Sequence, residues 1–191
     1  MTTLVLDDEG RACSLDLAFN AGRRYRAIVA KPALKAQLVR RLGETAPLAS
    51  VAPRGGLVGN LKVWENLVLP IAYHQNERGA APLDELEARA QGLFRELGIL
   101  RERFAELCAL LPDRLTEFER RLTAFVRAML AEPEIMLYDG LFDGLTRAEI
   151  EKATRFDRLF RLHFPFRTAL YVDAEDPMLP ALSDYPTFHL G

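Results

Sequence analysis

Leu115-Thr116-Glu117-Phe118-Glu119 opens, and Met136-Leu137-Tyr138-Asp139-Gly140 closes, a segment with the pattern of a helix followed by a buried strand. Thr116 followed three residues later by Glu119 has capping-box spacing, which satisfies N–H donors at a helix start. Phe118, Leu122, Phe125, Val126 and Met129 then mark one face of a long helix. Pro133 ends it. Ile135 to Asp139 is mostly apolar, as expected of a parallel strand covered on both faces. A helix feeding such a strand is a unit of α/β architecture.

The same grammar continues in both directions. Upstream, Thr3 to Leu6 and Ser14 to Phe19 read as strands about the polar turn Asp7-Asp8-Glu9-Gly10, and Asn20-Ala21-Gly22 reads as the next turn. Tyr25 to Ala30 is a strand. Leu34, Leu38 and Leu42 lie four apart on a helix for which Pro32 suits the first turn. Leu48 to Ala52 is a weaker strand ending in the loop Pro53-Arg54-Gly55-Gly56, and Asn60 to Tyr73 carries an apolar set around Trp64 and Pro70. Gln75 to Pro82 reads as a linker. Asp84 with Glu87 suggests a second capping box, and a helical insert is expected from about 75 to 130. Downstream, a helix is expected from about Arg147 to Leu162 and a strand from Thr168 to Asp173.

Composition narrows the class of function. At 191 residues with 49% hydrophobic and 27% charged content, the chain suits one substantial core, a single domain over 1–191. A net charge of −2 gives no basic field for nucleic acid. Phe156, Phe160, Phe164 and Phe166 interleave with arginines as if to stack on bases, but helical spacing favours a buried face with a basic outer face. Cys13 and Cys108 lack ligand spacing and read as small hydrophobes, so no metal is expected. His74, His163 and His189 read as structural. No apolar run reaches the roughly 20 residues of a membrane helix, and the start lacks a signal-peptide pattern, so the expected location is cytoplasmic, peripheral at most.

From Phe19 onward the chain resembles the ATPases of ABC transporters, and the resemblance implies a P-loop NTPase-like α/β fold: a mixed sheet flanked by helices, a small helical subdomain and a shortened N-terminal β lobe. The family's phosphate loop aligns with Val29-Ala30-Lys31-Pro32-Ala33-Leu34-Lys35-Ala36, where Lys35 is kept. Val29, Pro32 and Leu34 replace glycines, Ala36 replaces the hydroxyl that holds Mg²⁺, and obstruction of the phosphates is expected. Pro53 replaces a Gln that senses Mg²⁺ and the transporter. The signature segment aligns with Leu115 to Phe118, so Thr116 and Glu117 stand at its centre, where carboxylates would repel phosphate. Asp139 matches the Walker B aspartate, while Gly140 replaces the adjoining catalytic Glu; Thr146 and Ala174 replace a loop Asp and a switch His.

Gly55, Gly56 and Leu57, with the run from Leu61 through Trp64 and Asn66 to Pro70, resemble most the ATPases of Mla-type, MCE-linked lipid transporters, and the resemblance places permease contact there. These features predict a catalytically inactive, cofactor-free subunit of a membrane transporter, structural or regulatory, partnered by a permease or ATPase in a homo- or heterodimer. Lys35 and Asp139 are then vestigial nucleotide positions; without nucleotide, Lys35 reads as a solvated helix lysine and Asp139 as locally paired. The competing expectation is a soluble homodimeric scaffold or binding protein on the same fold.

Overall fold

Strand alternation sorts the side chains of a five-stranded parallel sheet onto two faces. The computed structural model describes residues 2–19, 21–78 and 82–190, without the side chains of 54 and 72–78. The sheet order is β4 (Leu48–Val51), β5 (Ile135–Asp139), β6 (Thr168–Asp173), β3 (Arg24–Val29) and β7 (Thr187–Leu190). Every pairing in it is parallel. Antiparallel pairing is confined to a separate hairpin, β1 (Thr2–Asp8) with β2 (Arg11–Leu17). Its two-residue turn, Glu9-Gly10, has φ of 53° and 87°, the doubly left-handed geometry that matches strand twist.

On one face, Tyr25, Ala27, Val29, Ile135, Leu137, Leu170 and Val172 form a core with Leu34, Leu38 and Leu42 of α1 (Pro32–Thr45) and the inward leucines of the hairpin. The other face sets Met136, Tyr138, Ala169 and Tyr171 against Phe125 of α5 (Glu117–Leu130) and Phe156 and Phe160 of α6 (Arg147–His163). Phe125 and Phe156 stack with centroids 4.5 Å apart. Arg24 enters this second layer, its Nε 2.6 Å from Asp157 Oδ1, both side chains 4% exposed. Three backbone carbonyls accept from its Nη1, and Tyr185 O–H donates to Asp157. The arginines at 155, 158 and 161 face outward, as the helical spacing implies.

Several local expectations are corrected. The Gln75–Pro82 linker gives way at its start to α2 (Val63–Arg78), which continues through Pro70; residues 79–81 lie outside the described part, as do Asn20 and the Tyr73 and His74 side chains. Helix α3 (Leu83–Glu96) begins after Pro82 with no side-chain cap: among the described residues Asp84 accepts only from the Glu85 N–H, so the expected second box is not formed. Helix α4 is Arg101–Ala109, and β7 had no sequence counterpart because its four residues carry no clear period. No helix among the described residues is long and apolar enough to cross a membrane.

Candidate functional site

Parallel strands bring their carboxyl ends to one edge, where the sequence-selected residues gather. Two residues, Ala30 and Lys31, join β3 to α1. Pro32 occupies the first turn, where its missing N–H is no loss, and α1 has neither a side-chain cap nor an acidic residue in that turn. Its positive end is therefore unneutralised from within the helix. Lys31 ion-pairs with Asp8 at 2.7 Å, and this bond raises its pKa. Lys35 ion-pairs with Asp139 at the end of β5. The solvated-lysine reading of Lys35 is thus corrected, and local pairing of Asp139 is found. Of the three residues expected to obstruct phosphates, Val29 and Leu34 are instead buried in the core beneath the edge, whereas Pro32 is exposed, as are Ala30, Ala33 and Ala36.

Beyond Asp139 the chain turns sharply. Gly140 N donates to Val172 O at 2.9 Å, and Asp143 N to Gly140 O at 3.2 Å. Gly140 has φ of 52°, and a Cβ there would lie 2.5 Å from Asp143 Oδ2. Asp173, at the end of β6, is 4% exposed with Oδ2 lacking a hydrogen-bond partner. Burial, then the Asp143 charge, pushes its pKa up to about 7 against the opposing pull of Arg26. Arg26 is itself held by Asp176 at 2.5 Å. Ala36 and Ala174 are exposed near this edge in sequence order, but neither carries a polar group. No three His, Cys, Asp or Glu groups among the described residues are placed to hold a metal ion.

Unlike α1, the other two helices that start beside this edge, α5 and α6, are closed by capping boxes. Thr116 and Glu119 exchange bonds of 3.0 and 3.2 Å, and Arg103 adds a 2.6 Å bond to Glu119. Burial opposes the Glu119 charge, but the Thr116 N–H and Arg103 hold its pKa below the usual range. Glu117 pairs with Arg120 at 2.6 Å. Thr146 and Glu149 repeat the box on α6. Arg121, 3% exposed, donates to the carbonyls of Leu141 and Asp143 and so clamps the turn after Gly140 to α5.

The segment read as a permease contact is tightly built. Pro53–Gly56 forms a 3-10 turn, in which Gly55 has φ of 79° and a Cβ would lie 2.6 Å from the Arg120 carbonyl oxygen. Gly56 has φ of 54°, and Arg127 donates to the carbonyls of Gly56 and Gly55 at 3.0 and 3.2 Å. Asn66, fully buried, accepts from Val58 N at 2.7 Å and donates to the carbonyls of Val58, Leu61 and Lys62. Leu57 and Trp64 are half-buried against the core, and Pro70 is half-buried within α2. Sequence reasoning missed Arg121, Arg127, Asp143 and Asp173 as members of these constellations. Only the apolar surroundings of the two arginines hinted at burial.

No protein-family model and no curated protein sequence matches the chain. Solved structures do. The dimeric ATP-binding cassette MJ0796, in a post-hydrolysis state with ADP and Pi, is 16% identical over 91% of this chain and 85% of its own, with a TM-score of 0.67. The fold is that of an ABC ATPase cassette. cbiO1 from Clostridium perfringens, part of the ABC transporter complex cbiONQ, is 12% identical over 89% of this chain and 73% of its own, at 0.63. A metal-chelate type ABC transporter in an inward-facing conformation is 14% identical over 94% and 72%, at 0.70. This likeness overturns the expectation of a non-enzyme: the matched folds are ATPase cassettes, one of them captured with its hydrolysis products, and no observation shows this chain to be inactive.

Proposed function

We propose that this chain is a cassette subunit of a membrane ABC transporter assembly, peripheral to the cytoplasmic face. It docks a permease through Gly55, Gly56, Leu57, Trp64, Asn66 and Pro70, and receives a nucleoside triphosphate at the start of α1 beside Lys35 and Asp139. The observation that carries the reading is the buttressing of the docking segment: Asn66 fixes its loop with four hydrogen bonds while Arg127 grips the Gly55 and Gly56 carbonyls. Ordering a loop before binding lowers the entropy cost of docking. Membership of cbiO1 in a transporter complex supports the same role. The likeness of Gly55-Gly56-Leu57 to MCE-linked ATPases supports a lipid cargo, and residues 75–130 serve as a helical subdomain within the single domain 1–191.

Leu57→Cys, in a chain with Cys13 and Cys108 replaced by Ser, tests the docking face by site-directed crosslinking in intact cells. A crosslink to a polytopic membrane protein, lost when Asn66 is replaced by Ala, is the expected result. Crosslinks solely between copies of this chain would replace the transporter reading with the homodimeric scaffold.

A further inference from the structure

We propose that Asp143 supplies the water-orienting carboxylate of this cassette, standing over Gly140 where a side chain at that position would otherwise lie. The inference rests on the nucleotide-receiving part of the proposed function. Its geometry is independent of the alignment. Asp143 Oδ2 lies 2.5 Å from where a Cβ of residue 140 would be, so the missing side chain is what makes room for the carboxylate. Two devices hold it there: the Asp143 N–H closes a turn onto Gly140 O, and buried Arg121 grips the Leu141 and Asp143 carbonyls.

A second observation marks the place as more than a collection of acids. Asp173 is only 4% exposed, and its Oδ2 has no hydrogen-bond partner among the described residues. Asp143 is the charge that most raises its pKa. Two carboxylates in this relation divide their tasks: the raised one, Asp173, carries a proton near neutrality, and the other faces solvent. Asp143 is the exposed member, with solvent access from above the strand ends.

In the reaction so assigned, the oxygen of a water hydrogen-bonded to Asp143 forms a bond to the terminal phosphorus of ATP. The bond from that phosphorus to the bridging oxygen breaks, and its electron pair leaves with ADP. The water's proton passes to Asp143 and then to solvent, and inorganic phosphate departs. General-base assistance of this kind contributes about 10²–10⁴-fold.

The test uses the full chain with ATP supplied as its magnesium complex. It measures ATP affinity by calorimetry and phosphate release for the parent, Asp143→Asn, Asp173→Asn and the Asp143→Ala/Gly140→Glu pair. We expect Asp143→Asn to lower kcat at least about 100-fold with the ATP dissociation constant changed less than about threefold. The double variant should recover part of kcat, and Asp173→Asn should move the pH profile of the parent. A kcat for Asp143→Asn within threefold of the parent overturns the proposal and leaves the cassette reading standing. A parent that binds ATP without releasing phosphate overturns it as well. A parent that binds no ATP at millimolar concentration overturns both the proposal and the nucleotide part of the reading beneath it.

Discussion

Replacing Asn66 by Ala should cost about 2 kcal/mol of stability and loosen the docking loop. The side chain makes four hydrogen bonds: one accepted from Val58 N and three donated to the carbonyls of Val58, Leu61 and Lys62. Two of the carbonyls keep a partner in the truncated protein: Asn66 N also donates to Lys62 O at 2.9 Å, and Leu61 N to Val58 O at 3.2 Å. The Val58 N–H and the Leu61 carbonyl are then left unpaired. At about 1 kcal/mol net for each group stranded, the sum is about 2 kcal/mol. Val58 is exposed, so water recovers part of that loss, whereas the fully buried position of residue 66 adds a small cavity. Urea unfolding followed by circular dichroism reads the effect: at an m-value of about 2 kcal/mol/M the midpoint falls by about 1 M. Asn66→Asp is the sharper companion, since it keeps the acceptor but turns a carboxylate oxygen toward three carbonyls. A midpoint shift below about 0.3 M in both variants refutes the claim that Asn66 organises the loop.

Gly55→Ala should destabilise by about 3 kcal/mol or more, because a Cβ would meet the Arg120 carbonyl at 2.6 Å and φ of 79° disfavours any side chain; a thermal melt within 2 °C of the parent contradicts this. The raised pKa of Asp173, about 7, sets a pH dependence of definite sign. Its stabilising effect is full below the unfolded-state pKa near 3.8 and fades as pH rises through about 7, so Asp173→Asn should flatten the fall in stability between pH 5 and 8. An unchanged slope over that window rules the assignment out. Arg24→Met alone should cost about 3–5 kcal/mol by stranding the buried Asp157 charge, while Arg24→Met with Asp157→Leu should recover most of it; equal losses in the two variants count against a desolvated pair.

The residues that announce period and punctuation were legible in the sequence. Thr116 with Glu119, the apolar face ending at Met129, and the run from Ile135 to Asp139 correspond to α5 and β5, because capping and burial on both faces leave local marks. The box at Thr146 and Glu149 follows the same spacing but had to be found in the structure. Asp84 with Glu87 shows the weakness of spacing alone: Pro82 fixes the entry to α3, and the Asp84 carboxylate turns to its own neighbour instead. For the site, Lys35 and Asp139 are brought together as paired partners, though 104 residues of sequence separate a helix lysine from a strand-end aspartate. Obstruction by Val29 and Leu34 was misjudged, since a replaced glycine tells which side chain is present but not where the backbone aims it. Asp143 escaped notice for the complementary reason: its importance arises from the empty space over Gly140.

Helix α5 is fastened at three points to two different loops. Its Arg120 backbone abuts Gly55, its Arg127 holds the Gly55 and Gly56 carbonyls, and its Arg121 holds the turn that carries Asp143. Fourteen helical residues span about 21 Å and do not bend easily, so the helix acts as a lever whose displacement is shared by both loops. Thermodynamic linkage then makes the traffic two-way: to whatever extent an occupant of the carboxyl edge shifts this lever, grip on a membrane partner changes by the same free energy in return.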